Sequence, residues 1–292
     1  MKMIDTTKKL NLDKVEIIAG GVDHSEGVTV TPNQTIYCGG EAGQIYRIDN
    51  DAPVEVANVK GFMLGLASDA ENRVYAVDNA NKCVWRYDPI KNATEKWLEG
   101  PKGNPFNVPN HGVFGPDGSY YLSDSGDWAK ADGKVWVKRP GKPVEIFTNE
   151  SRNFPNGNAV SKDGTKLYVV ESEPGAICEI EIKPDGNAGA RKVLVDLGLL
   201  VPDGIRVAAD DSLIVSFYAP NLVARWSPEG GLEALANDPQ AVFLAAPTNF
   251  EFFGANLDVM IFSSLARWQL SRAKLGIKGS KPHYPDKKAI GD

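Results

Sequence analysis

One pattern recurs six times along this chain: a turn with Gly or Asn, a short β-run, a second turn of the D-G or N type, and then a β-run rich in aromatic residues. The copies read SEGVTVTPNQTIYCGG, LGLASDAENRVYAVDN, PNHGVFGPDGSYYLSDS, PNGNAVSKDGTKLYVVES, PDGIRVAADDSLIVSFY and PTNFEFFGANLDVMIFSS. Their marks, Gly27, Gly65, Gly112, Gly157, Gly204 and Asn249, fall 38 to 47 residues apart. A repeat of that length is one supersecondary unit that buries its apolar face only by stacking on its neighbours.

Within each copy a turn such as PDG, KDG or ADD separates two β-runs at hairpin spacing. A third run follows, as in GQIYRID, KCVWRYD, GKVWVKR, AICEIEI and LVARWSP, and a weaker fourth is visible in PVEVANV, PVEIFTN and ARKVLVDL. Four-stranded antiparallel blades set radially protect most of their edges. The fold expected is therefore all-β: a six-bladed β-propeller with four-stranded antiparallel blades around a central channel. The N-terminal run KVEIIAG is expected to pair with the last blade and close the ring. A pair of β-sandwiches is the competing arrangement, but near-equal periods do not divide at a linker and no Pro/Ser-rich break interrupts them.

The expected organisation is one propeller domain over residues 1–292, with a lead at 1–15 and a solvated tail at 271–292 in which His283 is a surface residue. At 292 residues, 42% hydrophobic and 24% charged, the chain has the composition of a soluble globular protein. No apolar stretch approaches the roughly 20 residues that span a bilayer, and the first residues lack the apolar core of a signal peptide. A cytoplasmic location is expected. Cys38, Cys83 and Cys178 are odd in number and each lies in or beside a β-run, which reads as free thiols in the sheets. The net charge of −6, without a long basic run, argues against nucleic acid and anionic membrane as partners. Nothing here specifies an oligomeric state.

The first strand of a propeller blade lines the channel, and its leading residue sits at one mouth. The residues at or just ahead of the marks are Glu26, Leu64, Asn110, Asn156, Asp203 and Thr248. Two carboxylates and two amides thus converge on one small space, where they repel and desolvate each other unless a cation lies between them. A hard divalent cation with oxygen ligands meets that need. Taken singly, each Asp or Asn also reads as a turn former capping its own backbone. Glu26 is no turn specialist, and the four stand at equivalent points of the repeat.

At these residues the chain resembles the senescence-marker-protein, gluconolactonase and luciferin-regenerating-enzyme family. The resemblance lies in SEG with Glu26, PNHG with Asn110, PNG with Asn156, PDG with Asp203, the PTNFEFFGANLDVMIFSS block and the closing LARWQLSRAKLGIKG, and it runs from about residue 20 to about residue 282. It implies a six-bladed propeller that holds one divalent cation at the channel mouth, calcium first, with manganese, magnesium, zinc or iron as substitutes. It also implies lactone hydrolysis. Glu26, Asn156 and Asp203 would be direct ligands, and Asn110 a further ligand or a contact to substrate or to a water on the cation. Asp203 would also be the general base. Lactone opening needs an electrophile on the carbonyl and an activated water, and one cation serves both needs. No serine nucleophile is required. None of the three histidines, His24, His111 and His283, lies in a G-x-S-x-G context, and no His/Cys spacing suits zinc.

The chain departs from the family where sugar-lactone hydrolases place Arg two residues ahead of the blade-three Asn and Asp directly after it. The stretch here is FNVPNHG, with Val108 and His111 in those places. A less polar lactone or another ester-like substrate becomes more plausible than an aldonolactone. Asn110, His111, Asp124 and Trp128 are the candidate substrate contacts, and Phe62, Met63, Phe106, Phe154 and Tyr218 either roof the pocket or pack in the core. The long acidic turn SDSGDWAKADGK, with Asp124, Asp127 and Asp132, reads as a solvated loop or as a second cation site. Two functions stay open: a metal-dependent hydrolase of lactones, with phosphotriesters as a variant, and a non-catalytic propeller that binds a cation or small molecule.

Overall fold

The structure is a computed structural model that describes residues 4–292. The repeats become six four-stranded sheets, five of them ordered from inner to outer strand as the chain runs. Blade 1 holds Val28–Val30, Ile36–Gly39, Gln44–Asp49 and Ala52–Asn58. Blade 2 holds Met63–Ser68, Val74–Asp78, Cys83–Asp88 and Ala93–Glu99, and blade 3 holds Pro109–Phe114, Tyr120–Asp124, Lys134–Lys138 and Val144–Thr148. Blade 4 holds Pro155–Val160, Lys166–Ser172, Gly175–Ile182 and Ala188–Gly198. Blade 5 holds Val201–Val207, Leu213–Ala219, Leu222–Ser227 and Gly231–Asn237.

Blade 6 joins the two ends of the sequence. Its first three strands are Phe250–Phe253, Val259–Phe262 and Leu270–Ala273, and Val15–Ile18 adds the outermost one, with Val15 opposite Ala273 and Ile18 opposite Leu270. The expected ring closure is thus formed by backbone hydrogen bonds between residues far apart in sequence.

Burial follows position in the blade. Every residue of the inner strands Met63–Ser68 and Pro155–Val160 is buried, whereas the outermost strand Ala52–Asn58 has none buried. Apolar faces of adjacent blades meet in clusters, such as Ile214 and Val223 of blade 5 against Phe250, Phe252, Met260 and Phe262 of blade 6. Between blades 2 and 3 the rings of Tyr75 and Phe114 meet edge to face, centroids 4.9 Å apart. The three cysteines are buried free thiols, and burial raises each to a pKa of about 12.

The segment expected as a solvated tail is a packed strap instead. Leu270–Ala273 belongs to blade 6, and the chain beyond it crosses the far face of the ring. It touches every blade. Gly279 N–H donates to Leu257 O and Ser280 N–H to Val207 O, while His283 Nε2 donates to Ser161 O at 2.9 Å. The Tyr284 hydroxyl then donates to Val30 O at 2.7 Å, and Ala70 N–H donates to Pro285 O. A short helix, Lys287–Ile290, capped by the Asp286 side chain, buries Ile290 among Tyr75, Phe114, Tyr120 and Trp136. Burial of one such side chain contributes about 1.5–3 kcal/mol. Leu275 and Ile277 pack against the blade 5 and blade 6 cluster, Asp292 pairs with Arg73 and Arg86, and hydrogen bonds between backbone groups complete the strap's hold, none of which an apolar periodicity announces.

Candidate active site

Four inner strands carry the same irregularity at the same height. In blade 3, Pro109 pairs with Asp124 and Gly112 with Leu122, so Asn110 and His111 together stand opposite Ser123. In blade 4, Asn156 and Gly157 stand opposite Val170, and in blade 5, Asp203 and Gly204 stand opposite Ser216. Blade 2 repeats it with Leu64 and Gly65 opposite Val77. One extra residue on one strand is a β-bulge, which bends the strand and re-aims a side chain. The candidate ligands Asn110, Asn156 and Asp203 are all bulge residues.

The strands also approach unusually closely here. A Cβ at Gly157 would collide with the Asp203 carbonyl, and one at Gly27 with the Leu64 carbonyl. Glycine after the ligand position therefore lets neighbouring inner strands converge. Glu26 is placed from another side: its carbonyl accepts from Thr248 Oγ1 at 2.8 Å and Ser263 Oγ at 2.6 Å, both of blade 6.

Glu26, Asn110, Asn156 and Asp203 are all buried. Asn110 Oδ1, Asn156 Oδ1 and Asp203 Oδ1 have no hydrogen-bond partner among the described residues. For Asn156 the amide orientation is determined, because Nδ2 donates to Ser172 Oγ, whose own proton goes to Pro202 O. Burial, and after it the charge of Asp203, raises the Glu26 carboxyl well above the usual range. Burial raises Asp203 too, against a smaller opposing effect of the Asn156 side chain. Two carboxylates and two carbonyl oxygens, all desolvated and short of donors, fit a hard divalent cation with oxygen ligands.

The other expected contacts separate by position. His111 is buried in the channel, hydrogen-bonded through Nδ1 to Asn158 Oδ1 at 3.1 Å. It lines a cavity of about 60 Å³ on the strap side, with Thr29, Arg206, Glu251 and Tyr284. Burial, helped by the Arg206 charge, pushes it down to about 3, so its ring is neutral. Asp124 has both oxygens engaged: it accepts from Asn107 N, Val108 N and Trp136 Nε1, and so shapes the loop ahead of Asn110. Trp128 stands in the loop above the mouth, half exposed, edge-on to Phe154 at 4.8 Å. Phe106 and Met63 belong to the core.

The acidic turn does not gather its carboxylates. Asp127 pairs with Lys130 and Asp132 accepts from Asp127 N, while Asp124 is held as described. Among the described residues, Asp23, His24 and Glu41 form a tighter group that the sequence did not suggest. Trp268 Nε1 donates to His24 Nε2 at 2.8 Å, which leaves the proton on Nδ1, facing Asp23 and Glu41. That group is a closed hydrogen-bonded cluster.

Sequence reasoning also passed over Asn249. Thr248, at the blade 6 mark, has its hydroxyl committed to Glu26 O and Ser263 Oγ. Asn249 is buried with neither end of its amide partnered, and it lies two residues before the channel-lining Glu251, hence on the same face of the strand.

The model of the SMP-30/Gluconolactonase/LRE-like region matches residues 24–266. The chain belongs to that family. A gluconolactonase from Zymomonas mobilis is 26% identical over 187 residues, which are 57% of this chain and 51% of that protein, so the chain spans about half the length of the curated relative it matches. Among solved structures, a gluconolactonase from Xanthomonas campestris superposes with a TM-score of 0.75 at 19% identity, covering 89% of each chain. Regucalcin from Agrobacterium tumefaciens, described as a calcium-binding protein, superposes at 0.72 with 17% identity, covering 92% of this chain and 98% of that one. At such identities the structural likeness of this family member confirms its propeller fold. No helix among its described residues is long and apolar enough to cross a membrane.

Proposed function

We propose that the protein is a metal-dependent hydrolase that opens a lactone, or a related ester, at the mouth of its channel. One observation carries this reading: Glu26 and Asp203 are buried together without a counter-charge, beside the unpartnered amide oxygens of Asn110 and Asn156. Family membership and the gluconolactonase relative support it. Glu26, Asn156 and Asp203, with Asn110, would hold one divalent cation, calcium first by ligand type. When bound, that ion supplies polarisation of the ester carbonyl and a lowered water pKa. Asp203 is the general base, taking a proton at the oxygen not used for the ion, and Glu26 keeps the net charge of the site negative. Asn110 and Asn249 orient the reacting ester group through their free amides. His111 stays neutral and hydrogen-bonded beneath the ligands, where it positions Asn110's strand.

The test is proton release from a panel of lactones, using protein stripped of metal and then resupplied with calcium, manganese or zinc. Hydrolysis restored by metal and lost in Asp203→Asn, with cation binding largely retained, supports the reading. Cation binding without hydrolysis of any lactone would favour a binding protein.

A further inference from the structure

Three aromatic side chains are strongly exposed among the described residues: Trp128, Tyr218 and Trp268, at 50%, 50% and 60%. All three lie on the face where the candidate ligands open, and each adjoins one of them. The Trp128 loop is tied on one side to Val108, through Ser125 N–H to Val108 O at 2.8 Å, and on the other to Pro155, through Ser125 Oγ to Pro155 O at 2.8 Å. It thus stands between Asn110 and Asn156. Tyr218 follows Phe217, the partner of Pro202, beside Asp203. Trp268 is fixed over His24, edge to face at 5.4 Å, two residues before Glu26.

Exposed aromatics cost solubility and are placed elsewhere on this surface nowhere, so their gathering at one mouth marks a binding rim. The inner side of that rim is apolar in blades 2 and 3, where Leu64 and Val108 stand at and just ahead of the bulge positions, backed by the buried Met63. An indole also stacks on a sugar ring, but the hydroxyl edge of a sugar needs polar partners once desolvated, and these three side chains offer none.

Resting on the hydrolase reading above, the geometry points to a substrate class: lactones or esters carrying an aromatic or flat apolar arm, gripped by Trp128 with Tyr218 and Trp268 while the ester lies at the ligands. Polyhydroxylated lactones are poorer substrates of this site.

The experiment compares dihydrocoumarin with gluconolactone, by proton release, in calcium-loaded wild type, Trp128→Ala and Trp128→Phe. Calorimetry of their ring-opened acids on the same proteins supplies a readout independent of turnover. Wild type is expected to favour dihydrocoumarin, and Trp128→Ala to lower the dihydrocoumarin-to-gluconolactone ratio of kcat/KM about tenfold, with Trp128→Phe restoring most of it. A wild-type preference for gluconolactone, or a ratio unmoved in Trp128→Ala, overturns the proposal. If neither lactone is hydrolysed, the hydrolase reading fails and calorimetry decides the rim: tighter binding of the aromatic acid, weakened in Trp128→Ala, upholds the grip, and equal binding of both acids refutes it.

Discussion

The channel holds buried carboxylates at two heights, and they are treated oppositely. Toward the strap, Glu251 accepts from Arg206 Nε at 2.9 Å and from Phe252 N at 2.8 Å. At the open mouth, Glu26 and Asp203 face each other with no cation from the chain. Elsewhere in the blades Glu171 is just as buried and takes Arg191 at 2.7 and 2.9 Å together with Ser151 Oγ. The fold therefore supplies a counter-charge or donors where a carboxylate is structural. The pair left without one is the pair that needs something from outside.

The sharpest way to break this contrast is activity. Asp203→Asn is expected to lower metal-supported kcat by about 10²–10⁴-fold, measured by proton release, while cation affinity from calorimetry falls much less. Parallel losses in both would place Asp203 among simple ligands.

Stability should move in opposite directions at the two kinds of site. Glu171→Gln takes the carboxylate from the partly exposed Arg191 and is expected to cost about 1–3 kcal/mol in denaturant unfolding. Glu26→Gln in metal-free protein removes the cost of holding that carboxyl buried beside Asp203, whether charged or protonated, and should raise the midpoint at neutral pH instead. A loss at both positions would show that the mouth is not short of positive charge.

A third variant tests the close approach of the strands. Gly157→Ala pushes the Asp203 carbonyl away, and calcium affinity should drop about 10–100-fold, the range seen when groups supporting metal ligands are disturbed. Unchanged affinity would mean that the ligand spacing tolerates a wider ring.

The smallest effect expected is a pH slope. Burial raises Glu26 and Asp203, so above about pH 4 the folded metal-free chain keeps protons that the unfolded chain has released. Metal-free stability should therefore fall as pH rises from about 4 through the raised folded values. Saturating calcium takes the place of those protons, and scanning calorimetry should find the slope flattened. An equal slope with and without calcium would separate the ion from these two groups.

The blades were legible in the sequence because turn spacing and apolar β-runs encode them directly, and even the ring-closing strand KVEIIAG shows its pattern. The candidate ligands are named in the sequence as the residues at or just ahead of the recurring turn of each repeat, and the structure brings Glu26, Asn110, Asn156 and Asp203 to the inner strands as buried residues. Three things were not legible. A bulge has no composition of its own, so the re-aiming of Asn110, Asn156 and Asp203 showed only as Gly shortly after each. Blade 6 has neither bulge nor Gly at its mark, which is why Thr248 reads as its mouth residue and Asn249 only as the mark of the repeat. Asp124 looks in sequence like any strand-end carboxylate, and only its two backbone donors and the Trp136 indole reveal a loop brace. The strap escaped notice because scattered apolar contacts at Leu275, Ile277 and Ile290, the Asp292 ion pairs and a row of backbone hydrogen bonds replace an amphipathic stripe.

That strap turns the ring from a pipe into a cup. Residues 280–284 lie across the floor of the channel cavity, so among the described residues the chain itself covers the strap side, opposite the face where the candidate ligands and the exposed aromatics stand. A substrate of the proposed hydrolase that enters from the aromatic face would then leave by that face too. On the reading proposed above, an arm left outside at the rim would serve the departing product as it served the arriving substrate, because both carry it past the same side chains.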